Sequence, residues 1–74
     1  MDDTLERLFK ASLAKCKCLE NQGNKELLYC EIGHLYTLAV KMKKNNIEPS
    51  ESDHLYFHYF MMIKKNLEKE LNNG

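Results

Sequence analysis

The segment Asn21-Gln22-Gly23-Asn24 decides the fold, because it separates two stretches in which apolar residues recur with helical spacing. Asparagine and glycine tolerate left-handed backbone conformations and are common at helix ends. A break of four residues suits two antiparallel helices, so we predict a helical hairpin centred on this segment. Asn24 is the predicted N-cap of the second helix.

The first predicted helix covers residues 3–20 and is apolar on one side only. Asp2, Asp3 or Thr4 can cap its free amides, and acidic charge there suits the positive end of the helix dipole. This pattern predicts a surface helix that covers one side of a core. Its apolar arc, which only Ser12 interrupts, consists of Leu5, Leu8, Phe9, Cys16 and Leu19.

The second predicted helix extends to about Lys44, and apolar residues occupy nearly half of its circumference. A wheel this wide suits a central helix with neighbours on two sides. Gly33 lies inside it, where glycine costs up to about 1 kcal/mol relative to alanine. Gly33 therefore either permits the close approach of another helix or is a tolerated flaw. The apolar positions are Leu28, Tyr29, Ile32, Leu35, Tyr36, Ala39, Val40 and Met42.

A second break covers residues 45–52, and a third helix follows it. Pro49 biases the residue before it away from helix, and Ser50 with Asp53 has the spacing of a capping box. We therefore predict that the third helix begins between Pro49 and Asp53. Asn72-Asn73-Gly74 is the predicted end.

The first half of the third helix, residues 54–63, is apolar around almost its whole wheel. These apolar residues form three stripes along the helix. One stripe can face the other two helices, and two stripes remain without a neighbour. Exposed aromatic and methionine clusters are enriched at protein interfaces. In the alternative, the helices cross at angles that bury two of the three stripes. The predicted interface consists of Leu55, Tyr56, Phe57, Tyr59, Phe60, Met61 and Met62, with Tyr29, Tyr36 and Val40 as additional members.

Together these patterns predict one all-α domain over residues 1–74, a small three-helix bundle made of a helical hairpin and a third, strongly apolar helix, which oligomerises. The predicted function is that of a non-enzymatic protein-interaction module or regulator. Its partner is a second copy, giving a homodimer, or a larger bacterial- or phage-type protein. The asparagine- and lysine-rich composition resembles that of small proteins from AT-rich bacterial or phage genomes.

The charge balance argues against nucleic acid as the first choice of partner. Eleven basic and eleven acidic residues cancel, and Arg7 is the only arginine, whereas arginine is the usual choice for bidentate phosphate or guanine contacts. Neither break resembles the short turn of a helix-turn-helix motif. The alternative that stays open is a DNA- or RNA-binding regulator in which dimerisation sets two lysine patches side by side, each formed by Lys41, Lys43 and Lys44.

Cysteine and histidine are the usual ligands of zinc, but their spacing here does not assemble a site. The candidates are Cys16, Cys18, the pair Cys30 and His34, one helical turn apart, and the similar pair His54 and His58. Cys16 and Cys18 lie on roughly opposite sides of the first helix, and His54 lies about 18 Å along the axis from Cys30. Cys30 and His34 also lack an evident pocket or an orienting carboxylate. We therefore predict no metal site, no cofactor and no catalytic residue.

Three cysteines, an odd number, argue against a disulfide-stapled secreted module. Met1-Asp2-Asp3 is acidic where a signal sequence would be basic, and the most apolar run, residues 55–63, is too short to span a bilayer. We therefore expect a soluble protein in a reducing cytoplasm, with no membrane contact and no small-molecule substrate.

Overall fold

The computed structural model describes residues 3–72, which form three packed α-helices, α1 (Thr4–Gln22), α2 (Lys25–Lys44) and α3 (Glu51–Asn72). The body measures 45 × 21 × 18 Å. The predicted all-α, three-helix fold is confirmed. Two predictions, Asp2 as a cap of α1 and Asn73-Gly74 as the end of α3, lie outside the described residues.

The first connection closes α1 with a Schellman motif and starts α2 with a side-chain cap. Gly23 adopts a left-handed backbone with φ +71°, and its N–H donates to the Glu20 carbonyl at 3.0 Å. The N–H of Asn24 reaches back to the Leu19 carbonyl at 3.1 Å, and its side chain accepts from the Leu27 N–H at 3.3 Å. The predicted cap at Asn24 is confirmed, whereas α1 ends at Gln22, two residues later than predicted, because the left-handed residue is Gly23.

The second connection repeats the same closure with asparagine in place of glycine. Asn46 has φ +58°, and the N–H of Ile47 donates to the Met42 carbonyl at 2.9 Å. Ile47 then packs against the core, which fixes the direction in which the chain leaves α2. The Ser50 hydroxyl accepts from the Asp53 N–H at 3.2 Å, so the predicted start of α3 is confirmed.

All three helices contribute to one cluster of buried side chains within the described residues. Leu13 and Leu38 belong to it, although the sequence patterns above did not include them, and Leu8, which they did include, is half-exposed. The reason is that α1 packs against both α2 and α3, which turns its buried arc away from Leu8 and toward Leu13. The core consists of Phe9, Leu13, Cys16, Leu19, Leu28, Ile32, Leu35, Leu38, Met42, Phe60 and Leu67.

Gly33 does not mark a close helix contact. A Cβ added at this position would meet no other group within 4 Å. Of the two alternatives for Gly33, the structure therefore rejects close approach and leaves the tolerated flaw.

Over residues 3–72, the helices lack the combination of length and apolarity that a membrane span needs.

Candidate functional site

The core-facing side of α3 takes up part of the predicted interface. Phe60 is fully buried, and Phe57 and Met61 are partly buried against the core. The Phe57 ring lies 6.0 Å from the Phe9 ring of α1, at an angle of 48°. The side of α3 that meets the α1–α2 hairpin is therefore centred on Phe60 and its neighbours. Phe60 belongs to the core, so it is not available to a partner in this structure.

Outside this buried strip, α3 leaves four large apolar side chains in solvent, and we call them the α3 stripe: Leu55, Tyr56, Tyr59 and Met62. Leu55 is 65% exposed and Met62 57% exposed, and both tyrosines are more than one-third exposed. Their spacing places them side by side over two turns of one helix. The α3 stripe is thus a continuous apolar surface.

Both tyrosines of the α3 stripe are held by charged side chains of α1. The Lys17 ammonium lies 3.7 Å from the centre of the Tyr56 ring, a cation–π contact. The Tyr59 hydroxyl donates a hydrogen bond to the Glu20 carboxylate. This hydrogen bond, with burial and the charge of Glu20, raises the pKa of Tyr59. These two contacts hold the aromatic edge of the stripe in place.

The other predicted interface residues, Tyr29, Tyr36 and Val40, belong to α2, and both tyrosines contact side chains of α3. The Tyr29 hydroxyl donates to the Glu68 carboxylate at 3.3 Å, and burial, followed by that carboxylate, raises the pKa of Tyr29. Tyr36 is half-exposed, with the Lys64 ammonium 5.8 Å from its ring centre. The structure therefore separates these residues from the α3 stripe, whose tyrosines contact α1.

An open depression lies between the end of α2 and the start of α3. Its apolar wall includes Val40, Ile47 and Phe57, and its rim carries His54 and His58. The two imidazole rings stand edge to face, with centres 4.4 Å apart and Nε2 atoms 3.1 Å apart. His54 and His58, two of the residues considered above as zinc ligands, are thus in direct contact.

A second groove lies between α1 and α2, on a surface that α3 does not line. Ser12, the polar residue of the α1 arc, is buried there and donates to the Glu31 carboxylate at 2.6 Å. The Lys15 ammonium lies 3.4 Å from the same carboxylate. Leu8 and Leu27 are exposed beside this polar cluster. The groove was not predicted, because its formation depends on how the two helix faces are rotated.

The three cysteines have different surroundings in the described part of the chain. Cys16 is buried, and burial, followed by the charges of Glu31 and Glu20, raises the pKa of its thiol to about 12. It therefore stays neutral and a poor nucleophile at ordinary pH. Cys18 and Cys30 are exposed free thiols. Within residues 3–72 no three His, Cys, Asp or Glu side chains are placed together to hold a metal ion.

Lys41, Lys43 and Lys44 occupy the last turn of α2 and are exposed. Positive charge at this end of a helix is stabilised by the negative end of the helix dipole. At this position the three lysines stabilise α2, and this role does not depend on binding to nucleic acid.

No protein-family model, curated protein or solved structure matches this chain significantly. Its function is therefore inferred from the geometry of the chain itself.

Proposed function

We propose that this protein is a small, non-enzymatic interaction module whose α3 stripe binds another protein chain. The observation that carries the proposal is the exposure of Leu55, Tyr56, Tyr59 and Met62 as one continuous surface on a domain of this size. The partner is a second copy of the chain or a larger protein of the bacterial or phage type.

The side chains of the stripe suit a contact surface. Tyrosine offers a large apolar face with a polar tip, and methionine adapts its shape to an irregular partner. Lys17 and Glu20 immobilise the two tyrosines in advance, which lowers the conformational entropy that binding would cost. The stripe therefore combines a fixed aromatic edge with two freely accessible aliphatic side chains, Leu55 and Met62.

A second copy is a chemically reasonable partner. A twofold dimer places the same patch of both chains together, so a self-complementary apolar stripe suffices. The formal net charge of zero adds no repulsion between copies. A chain of 74 residues has only a small core, so burial of the stripe would add substantially to stability. In this proposal the partner covers the α3 stripe.

The non-enzymatic part of the proposal draws support from the polar groups of the interior. The Cys16 thiol has a raised pKa, which disfavours the nucleophilic thiolate. The buried Ser12 hydroxyl is committed to Glu31, which itself lies beside Lys15. These groups stabilise the bundle, and we assign them no chemistry.

The test is the native mass measured by light scattering over a range of protein concentrations. We expect a dimer for the unmodified chain and a monomer for the double variant Leu55→Glu/Met62→Glu, with unchanged helical circular dichroism. The matched control is Leu8→Glu/Leu27→Glu, which places the same charges on the other exposed apolar surface and should leave the mass unchanged.

Other outcomes discriminate between partners. A monomer at every concentration would remove the second copy and leave a larger protein. Equal loss of association in both double variants would show that the α3 stripe has no special part. A DNA or RNA complex that weakens with salt and requires Lys41, Lys43 and Lys44 would favour the nucleic-acid alternative.

A further inference from the structure

His54 and His58 form a pair whose geometry resembles that of two ligands on one metal ion. They are four residues apart on α3, so both project from the same face of the helix. Their Nε2 atoms lie 3.1 Å apart. An ordinary imidazole–imidazole hydrogen bond, with one ring as donor and the other as acceptor, also produces such a distance.

The separation also fits metal coordination. Zinc binds imidazole nitrogen at about 2.0–2.1 Å, so two nitrogens on one ion at tetrahedral or right-angle positions lie roughly 2.8–3.4 Å apart. The observed 3.1 Å falls inside this interval. An ion could therefore bind both Nε2 atoms without a change in their separation.

The rings are supported by the fold. Phe57 contacts the His58 ring edge to face, with ring centres 5.8 Å apart, and Phe57 in turn packs on Phe9 of the core. Both histidines are exposed at the rim of the depression between α2 and α3, so an ion has access from solvent. Partial restriction of the rings before binding lowers the entropy cost of coordination.

We propose that His54 and His58 form a two-histidine site for a divalent transition-metal ion of the zinc class, a property separate from the proposed protein interface. Imidazole ligands suit Zn²⁺, Ni²⁺ and Cu²⁺ and discriminate against Mg²⁺ and Ca²⁺, which prefer oxygen. Over the described residues no third His, Cys, Asp or Glu side chain completes the set. The remaining coordination positions are therefore open to water or to a group from a second chain.

Bound metal would act as a clamp across one turn of α3. The two nitrogens meet only when residues 54–58 are helical, so the ion binds the folded state in preference to the unfolded chain. Thermal stability should therefore rise with metal concentration.

The test is calorimetric titration with Zn²⁺ of untagged full-length protein, together with its thermal melting curve. All proteins carry Cys18→Ser and Cys30→Ser, because both exposed thiols could bind zinc themselves. We expect one Zn²⁺ per chain and a Tm that rises with Zn²⁺ but not with Mg²⁺. One ion per two chains that still needs both histidines also supports the site, with a second copy completing the coordination.

His54→Asn and His58→Asn should each weaken zinc binding by more than about tenfold, the lower end of the loss found on removing an outer-shell partner. His34→Asn is the matched control, since His34 is an exposed histidine on α2, and it should change nothing. Exposed substitutions should leave the fold intact, which circular dichroism checks. Absence of zinc binding, or binding that survives His54→Asn and His58→Asn unweakened, would overturn the proposal.

Discussion

The two sides of α3 contain similar side chains and have opposite surroundings. Phe60 on one side is fully buried beneath α1 and α2, whereas Leu55 on the other is 65% exposed. Phe57 and Met61 border the core, and Met62, adjacent in sequence to Met61, lies in solvent. The difference teaches that hydrophobicity alone does not assign a face of this helix to the core. The position of α3 across the hairpin does.

The largest effect is expected for Phe60→Ala, which tests whether the buried side of α3 stabilises the fold. Truncation of a buried phenylalanine costs about 3–5 kcal/mol through lost transfer free energy and the cavity that remains. Small domains have little stability in reserve, so we expect this variant to be largely unfolded. Urea denaturation followed by circular dichroism measures the loss.

Leu55→Ala is the control on the outer side of α3. An exposed substitution of this kind should change the free energy of unfolding of the monomer by less than about 0.5 kcal/mol. It should be measured at a concentration where light scattering gives the mass of a single chain. A loss similar to that of Phe60→Ala would mean that the two sides of α3 are not energetically distinct.

An intermediate effect should appear in the pH dependence of stability, through Cys16. Burial, with the charges of Glu31 and Glu20, raises the pKa of Cys16 from 9.0 to about 12 in the folded state. Between these values the unfolded chain loses the thiol proton while the folded chain keeps it, so stability falls as pH rises. Below pH 9 this contribution is constant. The expected loss is on the order of 2 kcal/mol by about pH 10.5.

Cys16→Ala isolates that contribution, because it removes the titrating thiol and leaves the other groups in place. The raised pKa values of Tyr29 and Tyr59 also lower stability at high pH, but they act on both proteins alike. Thermal melting of the two proteins between pH 8 and about pH 10.5 should therefore give curves that converge as pH rises. Parallel curves would show that the Cys16 thiol is not shielded in the core as described.

A smaller effect than that of Cys16 is expected at Gly33 of α2, which belongs to neither side of α3. Gly33→Ala should raise the free energy of unfolding by about 0.5–1 kcal/mol, since the added Cβ meets nothing and alanine favours helix. Native mass and zinc affinity should stay unchanged. Gly23→Ala is the contrasting variant, expected to lose about 1 kcal/mol or more because Gly23 is left-handed with φ +71°. Chemical denaturation of both variants measures the two signs.

Local chemistry made the three helices predictable. Gly23 and Asn24 form the first connection as expected, and Ser50 starts α3 with the predicted hydrogen bond to Asp53. Such signals depend on residues within a few positions of one another, so they can be read along the chain. The end of α1 shifted by two residues because Asn21 and Gln22 tolerate helix as well as turn.

The sequence indicates the segment that carries the α3 stripe, but not which of its side chains are exposed. The apolar excess of residues 54–63 can be read directly from the sequence. The exposed subset, Leu55, Tyr56, Tyr59 and Met62, depends on the rotation of α3 against the hairpin. The four-residue spacing of His54 and His58 can be read from the sequence, whereas the 3.1 Å between their Nε2 atoms depends on the side-chain conformations in the folded chain.

The sequence by itself determined three helices, their connections and a segment with abundant apolar side chains, because capping and helical periodicity act over one or two turns. Only the tertiary structure decided that Leu13 replaces Leu8 in the core, that Phe60 is buried, and that Leu55 and Met62 remain outside. These outcomes depend on which helix faces meet. That choice is made by the packing of all three helices together, and no single helix encodes it.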